Sequence, residues 1–186
     1  GPDEGFELVV WPDGMIHDGR FANLSWLQET PDPVTRLVWD NAAMMSPATA
    51  AELNVGEGQL ASGDTVGDTV TLNANGKSVS VGVLVVPGMA DKVIATSAGY
   101  GRTVGGEVGK GLGRNVFPLV NGSRVVRSVG VTRGSERYSL VRTQKYMKMK
   151  GTDPVEADER PIALDGTVEE YKAYKQRTHG DKGIVD

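Results

Sequence analysis

With 186 residues, 39% of them hydrophobic and 24% charged, the chain has the length of one substantial core and a composition that excludes disordered and collagen-like classes. Twenty-five glycines and nine prolines demand many turns and short strands, which favours a barrel or sandwich over a helical bundle. The net charge of −4 is unevenly placed, no apolar run approaches the roughly 20 residues that cross a bilayer, and with no cysteine the chain holds no disulfide, thiolate metal site or iron–sulfur ligand.

Gly1-Pro2 reads as the scar of a tag-cleaving protease, so residues 1–5 are set aside as scar and leader. Phe6 to Val10 then forms a short strand, ended by the Trp11-Pro12-Asp13-Gly14 turn. From Asp18 to Asp40 the chain carries aromatic anchors but too many breakers for one regular element, and Arg36 to Trp39 reads as a strand. Ser46 is placed as the N-cap of a short helix, with Pro47 at the first helical position, where a missing N–H costs nothing. After a Gly-rich loop over residues 54–67, Thr69 to Leu72 starts a strand, Asn75-Gly76 makes a hairpin turn, and Ser78 to Val86 alternates with Val79, Val81, Val83 and Val85 on one face. In that loop Gly63-Asp64-Thr65-Val66 is nearly repeated by Gly67-Asp68-Thr69-Val70, a repeat too short for a solenoid.

Val93 to Thr96 resumes as a strand, and the segment from Gly99 to Gly113 contains seven glycines. Val116 to Val120, Arg124 to Thr132 and Tyr138 to Thr143 follow as further strands. Between Arg114 and Lys150 nine Lys or Arg stand against the single acid Glu136, a positive surface most simply read as a solvated strand face. No helix-turn-helix, ribonucleoprotein aromatic motif or zinc finger accompanies it, so nucleic acid is not an expected partner. Residues 6–150 are thus expected to form one β-barrel domain. Residues 151–186 form an extension carrying a short polar helix over 167–177, opened by the capping-box spacing of Thr167 and Glu170.

The Gly-rich segment fails the spacings of the standard nucleotide motifs. At Gly109-Lys110 a P-loop would need glycine at position 104 and Ser or Thr at 111, which hold Val104 and Gly111. A dinucleotide G-x-G-x-x-G fails likewise, at Val104 from Gly99 and at Val116 from Gly111. What survives is a donor-rich backbone loop punctuated by Arg102 and Arg114, suited either to cradling phosphate or a polar heterocycle or to making tight barrel turns. His17 and His179 have no serine elbow or cysteine beside them, and no catalytic or metal-ligating set is expected. Asp18, Asp40 and Asp68 read as turn acids, and Trp11, Trp26 and Trp39 as core fillers before pocket walls.

One ordered series of motifs nevertheless stands out. It runs Asp18-Gly19-Arg20-Phe21-Ala22-Asn23, Trp26-Leu27-Gln28-Glu29, Pro31-Asp32-Pro33, Trp39-Asp40-Asn41-Ala42-Ala43, Ser46-Pro47-Ala48-Thr49-Ala50, Gly67-Asp68-Thr69-Val70 and Gly99-Tyr100-Gly101-Arg102-Thr103. Over roughly residues 15 to 120 it resembles the molybdopterin dinucleotide-binding domain of the dimethyl sulfoxide reductase family. Within that family the likeness runs to the molybdopterin-oxidoreductase-like iron–sulfur subunit of alternative complex III, a quinol:electron-acceptor oxidoreductase.

The resemblance implies a mainly β fold, a six-stranded double-psi β-barrel like that of aspartate decarboxylase with a few short helices. It implies contacts of Arg20, Asn23, Gly99, Tyr100, Gly101, Arg102, Thr103 and Asn115 with the pterin or diphosphate of molybdopterin guanine dinucleotide. Guanidinium and backbone N–H groups suit a diphosphate, and a side-chain amide both gives to and accepts from a pterin edge. In the family the molybdenum ligand and iron–sulfur cysteines lie outside this domain, so the fragment is not catalytic alone. The alternative-complex subunits are taken to have lost the molybdenum cofactor, so both a cofactor-bearing domain and a cofactor-free scaffold follow from the resemblance. Residues 54–66 exceed the usual helix-to-strand connection, and Lys110 and Arg114 interrupt a loop otherwise richer in small neutral residues. The implied partners are the rest of the parent chain and other subunits of a membrane-bound respiratory complex, without direct membrane insertion. The implied location, reached by Tat export, is the periplasmic face of a bacterial membrane. A third reading is an unrelated double-psi module that binds a partner or peptide.

Overall fold

Asn75 and Gly76 both take left-handed backbone conformations, φ +51° and +69°, as the two central residues of a tight hairpin of the primed type require. They join β4 (Thr65–Ala74) to β5 (Lys77–Val85) in antiparallel register from Ala74 opposite Lys77 to Thr69 opposite Gly82. The structure, a computed structural model, describes residues 5–59, 65–104, 106–144, 167–169 and 171–172. The chain divides into two compact units, Gly1–Lys145 and Tyr146–Asp186. In the second unit, Val168, Glu169, Tyr171 and Lys172 are helical and the Tyr171 N–H donates to the Thr167 carbonyl at 3.0 Å. Glu170 of the expected capping box, and the helix beyond Lys172, lie outside the described residues.

In the first unit the remaining strands are β1 (Phe6–Pro12), β2 (Ala43–Met45), β3 (Glu57–Gln59), β6 (Val93–Ala98) and β7 (Val125–Leu140). Two short helices, α1 (Ser25–Glu29) and α2 (Pro47–Glu52), and a 3₁₀ turn at Phe117–Leu119 complete it. Six strands close on themselves in the order β1, β6, β2, β5, β4, β7, with β7 paired to both β4 and β1, while β3 adds a short flap to β4. The fold is therefore mainly β, a closed six-stranded barrel with few and short helices.

Two pairs, β1 with β6 and β2 with β5, are parallel, and the rest are antiparallel. Exchanging β1 with β5, β2 with β6 and β4 with β7 reproduces the same ring of neighbours. The barrel is thus two three-strand halves, interleaved so that each half's first strand lies beside the other's second. That interleaving is the double-psi arrangement.

Alternation along the strands fills the interior. Leu8 and Val10, Val70 and Leu72, and Val81 and Val83 point into one core with Met45, Ile94 and Val129. Val116 and Leu119 close one end of it from the 3₁₀ turn. A second cluster lies outside the wall, where Leu37, Ala42 and Met44 meet Leu84, Val86, Ala95 and Leu140, so the β2–β5–β6 wall is buried on both faces.

Several expectations are corrected. Residues 116–120 are not a strand, because Pro118 lacks an N–H and fixes its φ, and the Asn115 side chain draws the Phe117 N–H into a turn at 3.1 Å. Arg36 to Trp39 is not a strand either. Asp32 Oδ1 accepts from the Val34 and Thr35 N–H groups at 3.0 and 2.7 Å, and Arg36 and Trp39 take left-handed φ values of +62° and +64°. Only a single bridge, Leu37 to Arg142, remains there. The two strands expected at 124–132 and 138–143 are one 16-residue strand, β7. It bends instead of breaking, with Ser128 at φ +56° beside a register shift against β1 and another shift against β4. The Ser46 cap is as expected, its Oγ accepting from the Thr49 N–H at 3.1 Å.

Candidate functional site

Because β1 and β6 are parallel neighbours ending at Pro12 and Ala98, the loops that follow them leave the barrel side by side at one end. This places Arg20 and Asn23, from the first loop, against Gly99 to Thr103 from the second. Asn115 joins them through Gly101, whose φ is +73° and at which an added Cβ would stand 2.1 Å from the Asn115 backbone nitrogen. All eight residues singled out in the sequence therefore gather at one end. Arg20, Asn23, Arg102, Thr103 and Asn115 are exposed there, whereas Gly99 and Tyr100 are buried.

The hydrogen bonds of this cluster are largely internal. Arg20 clasps Asp18 with Nε on Oδ1 at 2.9 Å and Nη2 on Oδ2 at 2.8 Å. That clasp holds the Asp18 carboxyl well below the usual carboxylate range and raises the guanidinium's own pKa. Arg102 Nη1 donates to the Gly19 carbonyl at 2.5 Å, locking the two loops together. Asn23 Oδ1 accepts from the Val108 N–H at 3.1 Å, and Asn115 Oδ1 from the Phe117 N–H. The Gly101 N–H goes to Leu112 O at 2.6 Å and the Gly111 N–H to Arg102 O at 2.8 Å, so the glycine loop folds into a ladder with itself.

The donor types suit a diphosphate, and in this structure they are engaged within the chain. Each guanidinium already holds a partner of its own. The space above Asn23 is filled by Gly106, at φ +92°, where an added Cβ would lie 2.1 Å from Asn23 Oδ1.

A second set of polar groups, read in the sequence as no more than a turn acid and its neighbours, centres on Asp40. Its Oδ2 accepts from the Tyr138 hydroxyl at 2.7 Å and its Oδ1 from the Asn41 N–H at 2.8 Å. Burial is the main cause that raises the Asp40 pKa to about 6, against the opposing pull of these hydrogen bonds and of Arg114. The Arg114 guanidinium lies 4.9 Å above the Tyr138 ring, and burial followed by the Asp40 hydrogen bond raises the Tyr138 phenol to about 12. Beside it, Asn41 Nδ2 donates to the carbonyls of Ser97 and Arg114 at 2.7 and 2.9 Å, while its Oδ1 accepts from the Arg114 N–H at 2.8 Å. One amide thus pins the entry to β2, the end of β6 and the end of the glycine loop. The signal for it was the Trp39-Asp40-Asn41 motif immediately before a buried strand. The partner Tyr138 lies 98 residues away, beyond local reading.

A cavity of about 430 Å³ opens between the outer face of β1, β2 and β6 and the segment spanning residues 30–42. Val9, Met44, Val86 and Ala95 form its floor, and Asp13, Asp32, Asp40 and Tyr100 line it with polar groups. Trp11 also lines this cavity and is 36% exposed, Trp26 is 85% exposed and Trp39 is half-buried, so none of the three tryptophans fills the core. His17 stays a loop residue, its backbone exchanging hydrogen bonds with Asp13 at 2.8 and 3.0 Å, and His179 lies outside the described residues. Asp68 is more than a turn acid: Oδ2 accepts from the Gly56 N–H at 3.1 Å and meets Arg133 at 3.3 Å. Among the described residues no group of three His, Asp or Glu side chains could hold a metal ion. No protein-family model matches the chain, and no curated protein matches its sequence.

Proposed function

We propose that this chain is a molybdopterin-dinucleotide-binding-like barrel domain of a respiratory oxidoreductase subunit, of the molybdopterin or quinol:electron-acceptor kind. In this reading it serves as a cofactor-free scaffold within the electron-transfer complex. The ordered motif series from Asp18 to Thr103, now set on a closed double-psi barrel, supports the domain type. The observation that carries the cofactor-free form is the self-satisfied loop cluster, with Arg20 on Asp18, Arg102 on Gly19 and Gly106 over Asn23. The partners in this reading are the rest of the parent chain and the other subunits of a membrane-bound complex at the periplasmic face. Turnover belongs to groups elsewhere in that assembly.

One observation favours a second reading, a domain that binds molybdopterin guanine dinucleotide. The guanidinium groups of Arg20 and Arg102 are exposed at the same barrel end, and a diphosphate could replace Asp18 as the anion that Arg20 clasps. The test is to produce the full-length parent in a molybdenum-replete host and to measure molybdenum by mass spectrometry and pterin by oxidation to its fluorescent form. The scaffold form expects a folded, membrane-associated protein with neither. Stoichiometric pterin would overturn it in favour of the second reading.

A further inference from the structure

The cavity outside the β1–β6–β2 wall combines an apolar floor with an acidic lining. Its volume of about 430 Å³ falls within the range of small-molecule sites, roughly 300–1,000 Å³. Among the described residues that line it there is no Lys, Arg or His, so the carboxylates of Asp13, Asp32 and Asp40 meet no cation among them. Asp13 Oδ1 takes the Met15 and Ile16 N–H groups, and Asp32 Oδ1 takes those of Val34 and Thr35 with the Thr35 hydroxyl. The Oδ2 of each accepts no hydrogen bond among the described residues. Beside them Tyr100, only 7% exposed, lines the cavity with a hydroxyl that has no hydrogen-bond partner among the described residues. That hydroxyl opens onto the cavity, where a ligand atom can complete its hydrogen bonding.

We propose that this cavity binds a small organic cation with an apolar body, an alkyl- or arylalkyl-ammonium, whose N–H groups reach Asp13, Asp32 and the Tyr100 hydroxyl while its hydrocarbon lies on Val9, Met44, Val86 and Ala95. An ammonium has donors only, which matches free carboxylate oxygens and a phenol oxygen able to accept. Hydrogen bonds of this charge-assisted kind are about twice as strong as neutral ones. Burial and the surrounding carboxylates keep Tyr100 protonated, so its oxygen remains a neutral acceptor at physiological pH. An anion is excluded by the same charges. The site is thus independent of the scaffold reading and of any diphosphate at the glycine loop.

Calorimetry on this chain with 4-phenylbutylamine, 4-phenylbutanol and 4-phenylbutanoate tests the proposal, the three probes sharing one apolar body. The amine is expected to bind at least about tenfold more tightly than the alcohol, from one or two charge-assisted hydrogen bonds, and the carboxylate not at all. Nα-acetyl-lysine amide, an ammonium on a peptide-like body, separates a small-molecule site from one for a protein side chain and is expected to bind far more weakly than the amine. The double variant Asp13→Asn, Asp32→Asn keeps the side-chain oxygens that cap both turns, and Tyr100→Phe keeps the ring. Each should narrow the gap between amine and alcohol, with folding checked by circular dichroism. Equal binding of amine and alcohol by the unaltered chain, tighter binding of Nα-acetyl-lysine amide, or no binding of the amine at millimolar concentration would overturn the proposal without bearing on the pterin assay.

Discussion

At the scale of single residues, Asp40 is the group whose chemistry the fold alters most usefully for experiment. Its folded pKa of about 6 lies above the ordinary 3.8, so the folded state holds the proton more tightly than the unfolded one. The stability this contributes is fully present below pH 3.8 and is lost as pH rises through 6. Asp40→Asn, which cannot titrate, should therefore gain on the unaltered chain by about 2–3 kcal/mol between pH 4 and pH 7. Denaturant titrations of both proteins across that range would show it, and parallel curves would refute it. Because the Tyr138 hydroxyl favours the carboxylate, Tyr138→Phe should move the Asp40 titration to still higher pH, read by carbon-13 NMR of its carboxyl group. A simpler expectation attaches to Ser46, whose Oγ caps α2 and also donates to Asp91 at 2.5 Å: Ser46→Ala should cost about 1–2 kcal/mol in thermal unfolding.

At the scale of elements, legibility followed the range of the forces involved. The β4–β5 hairpin and α2 could be read from neighbouring residues alone, because Asn75-Gly76 and Ser46-Pro47 encode their turn and cap within a few positions. β2 could not, since Ala43–Met45 is three residues long and is a strand only because β5 and β6 flank it. Thr132 and Tyr138 read as belonging to separate strands, yet β7 continues through Gly134, Ser135 and Glu136, where its pairing with β4 shifts register. The candidate cluster was legible as residue types and order, whereas the pairing of Arg20 with Asp18 and of Arg102 with Gly19 depends on side-chain direction. Gly101 tests the loop itself. Gly101→Ala would place a Cβ 2.1 Å from Asn115 N at φ +73°, and a loss of roughly 2–4 kcal/mol is expected by chemical denaturation.

For the whole molecule, closure is the decisive property. Ring closure leaves no edge strand among the six, and the β3 flap lies alongside β4 at Glu57 to Gln59. Closure depends on β7, the last of the six barrel strands in chain order, which alone supplies the second neighbour of both β1 and β4. On a ribosome, then, the first of the six barrel strands to emerge waits longest for its final partner. Until translation has passed Leu140, β1 and β4 each carry a bare row of amides and carbonyls, and a stalled chain ending before Val125 is a template for pairing with its own copies. Pulse-labelled translation of chains stopped at residues 124 and 145 should give aggregate from the shorter and soluble barrel from the longer.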